Sequence, residues 1–452
     1  MSADRFASPA VGEPGPLHLP AIERSTLSNG MRVWTLPHTS LPVVSLTVLV
    51  DAGTADDPAH LPGLMGITAD MLDEGAGGRD SIHLAESIAD LGASVDVHAG
   101  PDAVSAQLWT VRRHLEPALR ILADIVTRPH LDDADLTRVR EIRLNRLQQL
   151  RRSAASAAER VFASAVYGAH GYGHAGLGTT AALSRITIDD VREQYARVCA
   201  PSRVTVIAAG DVRHDDLVSL VEAAFGQWAA SSPGALVRRT VETASAAPRV
   251  LFVEREAAPQ SEIRVGHLAV PRLTPDYHAL ILLNSGLGGS FSGRLNQRLR
   301  QQLGYTYGAR SAFDMDRDAG TFVCDTSVQG DKTVESVREI HALIAAVRDA
   351  APLTSEELEL ARGSLTRGYA RNFETPRQLG SALAQLAVYG LPDDVFETFV
   401  PSVQQVSAAA VLAAAQQRLD PSRLITVVVG DPQWRDSLGD LGVPVETLAP
   451  EM

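Results

Sequence analysis

The chain has little cysteine, few aromatic residues and no long apolar run. Its two cysteines, Cys199 and Cys324, stand far apart among 452 residues. That spacing excludes a disulfide framework and a zinc ribbon and leaves two packed thiols. No apolar stretch approaches the ~20 residues of a membrane helix, so no membrane span is expected. Aspartate and glutamate (54) outnumber lysine and arginine (41), giving a formal net charge of −13. Nucleic acid is thereby excluded as a partner, because a phosphate backbone demands a basic face; neutral or basic peptides fit better. The opening MSADRFASPAVGEPGPLHLP has no apolar core of signal-peptide length. The expected compartment is therefore cytoplasmic, or periplasmic if a signal was trimmed.

Hydrophobic residues make up 45% and charged residues 21% of the chain, a globular composition, and the length predicts about two to four domains. An internal repeat sets their arrangement. Pro201-Ser202-Arg203, VTVIAA, Gly210-Asp211 recurs as Pro421-Ser422-Arg423, LITVVV, Gly430-Asp431, at an offset of 220 residues (421 − 201) without a gap. Each copy reads as a loop, a buried strand and a turn, preceded by a helical stretch. The openings of the halves also correspond: VVSLTVLVDAG, with Val44, Leu46, Val48 and Val50 on one face, and SEIRVGHLAV at residues 261–270. The expected division is an extended arm over 1–24, a first lobe over 25–231, an Ala/Ser/Pro-rich linker over 232–247 and a second lobe over 248–452, with order beginning near the Ser28-Asn29-Gly30 turn.

Helices and strands mix in an α+β manner within each half. LPGLMGITADMLDEG and SIHLAESIADLG read as helices, SVDVHA and VSAQLWTV as strands, and LEPALRILADIV as the start of a helical run reaching LNRLQQLR. In the second half HALILLNSGLG leads to a Gly-rich turn and the strands YGARSAF and GTFVCDTSV. After ESVREIHALIAAVRDA, the capping box Thr354-Ser355-Glu356-Glu357 starts a helix expected to reach about Asn372.

The run Asp51-Ala52-Gly53-Thr54, Gly63-Leu64, Met71-Leu72 and Leu91-Gly92-Ala93-Ser94 resembles the start of the pitrilysin family of zinc peptidases, in its short, mitochondrial-processing-peptidase-like branch. Where that family carries His-x-x-Glu-His, this chain has Gly66, Ile67, Thr68, Ala69 and Asp70. Zinc in such a motif needs two imidazoles at i and i+4 and further acidic groups. Gly66 and Ala69 supply neither ligand nor base, and a downstream acid such as Glu159 cannot replace two histidines. No metal is expected here, and the segment reads as plain helix with Ile67 toward the core. His170-Gly171-Tyr172-Gly173-His174 also spaces two histidines by four, but its glycines favour a loop, where that spacing aligns nothing.

The run from Gly286 to Leu295, followed by NQRLRQQLGYTYG, resembles the same family's Gly-rich turn, Phe-Ser-Ser-Arg-Leu and a later Arg and Tyr, with Gly293 in place of the second Ser. In that register Arg300 and Tyr307 are the catalytic candidates; Arg298 with Tyr305 is the alternative register. A phenol beside a guanidinium suits the negative charge that develops on a peptide carbonyl. Gly288, Gly289, Ser290 and Phe291 are the substrate-binding candidates. A lone Gly-rich run also occurs in dinucleotide loops, but no βαβ unit accompanies it here.

The resemblance implies two homologous lobes, each of two similar α/β subdomains, closing as a clamshell, with a peptide added to a sheet edge. It further implies a zinc-free subunit of a heterodimeric endopeptidase, the zinc lying on the partner and no cofactor on this chain, with homodimers when the chain is alone. An inert structural or assembly protein of the same superfamily is the alternative.

Overall fold

Alternating apolar residues make Val43–Val50 a strand, and it lies near the centre of the first of two six-stranded sheets. The computed structural model describes residues 12, 15–174, 176–229, 236, 241 and 247–448; the 232–247 linker thus falls almost wholly outside the described residues. The strands of the first half are β1 (Glu23–Thr26), β2 (Arg32–Pro37), β3 (Val43–Val50), a small hairpin of β4 (Gly75–Ala76) and β5 (Arg79–Asp80), β6 (Ser94–Ala99), β7 (Val104–Val111) and β8 (Val204–Gly210). The second half supplies β9 (Arg249–Glu254), β10 (Gln260–Ala269), β11 (Thr306–Met315), β12 (Gly320–Gln329), β13 (Ile425–Gly430) and β14 (Val445–Leu448).

The sheet orders are β1-β2-β8-β3-β7-β6 and β14-β9-β13-β10-β12-β11. The repeated segments occupy equivalent places in them. β8 runs parallel to β2 and antiparallel to β3, with Val44 opposite Gly210; β13 runs parallel to β9 and antiparallel to β10, with Glu262 opposite Val429. The expectation of two homologous α+β lobes holds; β6 and β11 are corresponding edge strands, and β1 and β14 form the opposite edges.

Each sheet buries both faces, and one covering helix comes from the other half. In the first sheet Val44, Leu46 and Val48 pack on Leu119 and Leu122 of the helix Leu115–Thr127. Its opposite face, with Leu36, Leu49 and Ile207, takes Leu379 and Leu383 of the helix Pro376–Tyr389. Reciprocally, Leu251, Val427 and Val429 of the second sheet pack on Val161, Phe162 and Val166 of the helix Ala154–Tyr167. The approach is close: a Cβ on Gly266 would stand 2.9 Å from the Phe162 ring. Each such Leu or Phe, fully buried, contributes about 1.5–3 kcal/mol, so the exchange binds the lobes firmly. Two equivalent hairpin turns also meet: the backbone N–H of Arg317, between β11 and β12, donates to Asp102 Oδ2, between β6 and β7, at 2.9 Å, while its guanidinium pairs with Asp51 at 2.8 Å.

Four local expectations change. The helix after Pro62 is only Leu64–Asp70, because the chain turns back into the β4–β5 hairpin. The run from Leu115 breaks between Thr127 and Asp133, where Pro129 cannot donate to a helix and keeps the preceding Arg128 out of the helical region. The helix capped by Thr354 stops at Thr366, and a separate turn follows over Tyr369–Phe373; Gly363 and Gly368 weaken the stretch. At the start of the chain, β1 already pairs with β2 from Glu23, and Leu17, Leu19 and Ile22 pack on Leu386, Leu391 and Phe396 of the second half. The described part of the arm therefore belongs to the fold.

Candidate active site

The helix Leu64–Asp70 begins on a buried acid. The backbone N–H groups of Gly63 and Met65 donate to the two Asp57 oxygens at 2.7 and 2.6 Å; burial nonetheless pushes the Asp57 carboxyl up to about 7. Ile67 faces the core at 0% exposure. On the other side of the helix, Arg143 from the helix Asp133–Arg151 reaches in. Its Nη1 pairs with Asp70, and its Nη2 donates to the Gly176 carbonyl at 2.7 Å. A Cβ at Gly66 would overlap both that Nη2 and that carbonyl oxygen.

A buried guanidinium thus fills the space that the family's first imidazole would need. Guanidinium stays protonated and cannot ligate a metal. Among the described residues no group of three His, Cys, Asp or Glu side chains is placed to hold one. These residues do not fit zinc. The neighbouring histidines diverge: His170 caps the Tyr172 N–H and meets its ring edge to face, while His174 Nε2 lies 3.7 Å from Asp57. Glu159 points away, toward Arg264 on β10, at 3.8 Å.

Of the second-half candidates, Gly288, Gly289 and Arg300 sit on two wide, π-helical turns, Ser285–Gly289 and Asn296–Gln302, a conformation frequent at functional sites; Ser290 and Phe291 follow the first turn. Gly288 is buried; a Cβ there would lie 2.7 Å from the Ser311 amide, so its bareness serves packing against β11. Gly289 is exposed, and Ser290 Oγ donates to the Ser285 carbonyl at 2.9 Å. Phe291 is 65% exposed, and the Arg300 guanidinium lies over its ring at 4.4 Å.

Tyr307 stands on β11 where the pairing with β12 slips between Thr306 and Ala309; such a bulge re-aims a side chain, and Tyr307 is 90% exposed. Buried Asn296, which the sequence reading missed, accepts from the Ala309 N–H at 3.0 Å and fixes the strand just past the bulge. Its only sequence signal was a polar residue inside an otherwise helical apolar spacing.

Among the described residues neither the Arg300 nor the Tyr307 side chain has a hydrogen bond or ion pair. The alternative pair is engaged elsewhere: Arg298 is bidentate to Glu339 at 2.7 and 2.8 Å, and the Tyr305 ring lies 5.8 Å from the Lys332 ammonium. Arg300, Phe291 and Tyr307 are therefore presented from one end of β11 and the turns beside it.

Residues 32–180 match the family model described as insulinase, peptidase family M16, and residues 185–365 match the one described as peptidase M16 inactive domain. An uncharacterised zinc protease of Mycobacterium leprae is 26% identical over 401 residues, 88% of this chain and 89% of that one. The crystal structure of a peptidase M16 inactive domain from Pseudomonas fluorescens superposes with a TM-score of 0.85 at 23% identity, covering 91% of this chain and 98% of that one. The periplasmic protease PqqL of Escherichia coli gives a TM-score of 0.78 at 17% identity, covering 95% of this chain but 48% of that one. With adjoining models matching most of its length and the fold shared with solved structures, this chain belongs to peptidase family M16, the insulinase and pitrilysin family.

Proposed function

We propose that the chain is the zinc-free subunit of a two-chain M16 endopeptidase, binding an extended peptide and lending Arg300 and Tyr307 to a metal site on its partner. One contrast carries this reading. Arg143 and Asp70 close the metal position, whereas Arg300 on its π-helical turn and Tyr307 on β11 are held out with no side-chain ion pair or hydrogen bond among the described residues. A residue kept only for the fold is ordinarily paired or packed, as Arg298 is. The two-chain arrangement draws support from PqqL, of which this chain spans about half.

In this role the Tyr307 phenol and the Arg300 guanidinium donate hydrogen bonds to the scissile carbonyl oxygen as charge develops on it, and Phe291 keeps the guanidinium oriented. The peptide adds along the free edge of β11, where backbone pairing tolerates many sequences. The test is co-expression with an M16 chain bearing His-x-x-Glu-His. Tyr307→Phe and Arg300→Ala should each lower kcat about 10²- to 10³-fold, the usual loss for one oxyanion donor, with assembly, zinc content and substrate affinity little changed. Normal kcat in both variants would turn the reading to a structural or assembly protein.

A further inference from the structure

Beside the loop that carries His174, a cavity of about 600 Å³ is lined by Arg151, Arg160, Ser164, Thr179, Thr180 and Ser184, among others. None of its lining residues is acidic. Arg160 is partly buried and, among the described residues, makes no ion pair or hydrogen bond. Arg151 donates to Thr180 Oγ1 at 3.0 Å, which holds it at the rim. Glu159, next in sequence to Arg160, is turned away to Arg264. Burial and the Arg151 charge both work against the Arg160 guanidinium, lowering its pKa.

The other half shows that the fold does not require these cations. The helices Ala154–Tyr167 and Pro376–Tyr389 are both 14 residues long and are offset by 222 (376 − 154). At that offset Arg151 and Arg160 correspond to Phe373 and Ala382, which line a cleft in the second half; there Phe373 packs on Tyr369 and Phe396, each at 5.3 Å between centroids. The second-half cleft has arginines of its own, Arg272 and Arg377, with Arg272 laid over the Tyr277 ring at 3.8 Å; at the two corresponding positions it carries a ring and a methyl, whereas the first half places Arg151 and Arg160 there, beside hydroxyls and around a space of ligand size.

We propose that this cavity binds a small phosphomonoester, its phosphate taken by Arg151 and Arg160 with the Ser164, Thr179 and Thr180 hydroxyls as further donors, the Ser184 hydroxyl being committed to the Thr180 carbonyl at 2.9 Å. Two guanidiniums match a dianion, and planar forks suit phosphate oxygens. A carboxylate offers one charge and two oxygens to a site that holds two charges and many donors. The site is separate from Arg300 and Tyr307 and stands independently of the role proposed for them.

Calorimetric titration at fixed ionic strength tests it, with inorganic phosphate and O-phosphoserine as probes and glutamate as the carboxylate control. Wild type should bind both phosphates. Arg160→Leu and Arg151→Gln should each weaken binding about tenfold or more, the scale of one lost charged contact. Arg146→Gln should leave it unchanged, because Arg146 lines the separate cleft that also contains Gly66, Asp70 and Arg143 and does not line this cavity. Arg160→Leu should fold at least as stably as wild type without ligand, since its counterpart is apolar; Arg151→Gln, at an exposed position, provides the same readout if it does not. Absence of phosphate binding, wild-type affinity in both arginine variants, or glutamate binding as tight as phosphoserine would each overturn the proposal.

Discussion

At Gly66 a single missing side chain decides the chemistry of the first lobe. Glycine within a helix ordinarily costs about 0.5–1 kcal/mol relative to alanine. Here Gly66→Ala should instead destabilise, by about 1–3 kcal/mol as overpacking does, because the new methyl meets the Arg143 guanidinium and the immovable Gly176 carbonyl. Urea denaturation would show the midpoint falling; a rise would mean that Arg143 yields readily. Writing His-x-x-Glu-His back into residues 66–70 should likewise fail to create a zinc site while Arg143 remains. The glycine and the lost motif were legible in the sequence. The arginine that replaced them was not, since Arg143 lies 77 residues away (143 − 66) and nothing in its helix marks it from its neighbours.

Among the elements, the capped helix Ser355–Thr366 does more than begin well. Glu357 reaches back to the Thr354 N–H at 2.7 Å and also receives the Arg294 fork at 2.6 and 2.7 Å. The cap therefore anchors the turn leading to Arg300. Thr354→Ala should cost about 1 kcal/mol, the value of one N-cap. Glu357→Gln keeps a capping side chain but loses the charged pair, and should cost about 1.5–3 kcal/mol. Chemical denaturation with an unchanged m-value checks both, and an equal effect of the two would refute the anchoring role. The capping box could be read from four letters. Its link to Arg294 could not, because the two meet only when the helix folds back beside the Gly-rich turn.

For the whole molecule, the meeting of the two hairpin turns links stability to pH. Burial first, then the neighbouring Asp102 and Asp314 carboxylates, push Asp316 up to about 7. In the folded state Asp316 thus keeps its proton over a range where the unfolded chain has lost it. Its contribution is complete below the ordinary carboxylate range and is lost as pH rises toward 7. Asp316→Asn should therefore gain stability over wild type at pH 8 and little at pH 4, as thermal melts at the two values would show. A constant difference between them would remove Asp316 from the linkage.

The sequence by itself determined the duplication, the strand faces, the buried thiols and the loss of the metal motif, because each follows from residue type and short-range spacing. Cys199 and Cys324 are buried and unpaired as composition implied, with burial pushing the Cys199 thiol up to about 12. Tertiary structure alone decided that each half lends a helix to the other's sheet, that Arg143 fills the metal position and that two unneutralised arginines share a cavity. These depend on contacts between residues far apart in the chain, and no local pattern of hydrophobicity or charge encodes which distant surface a helix will cover.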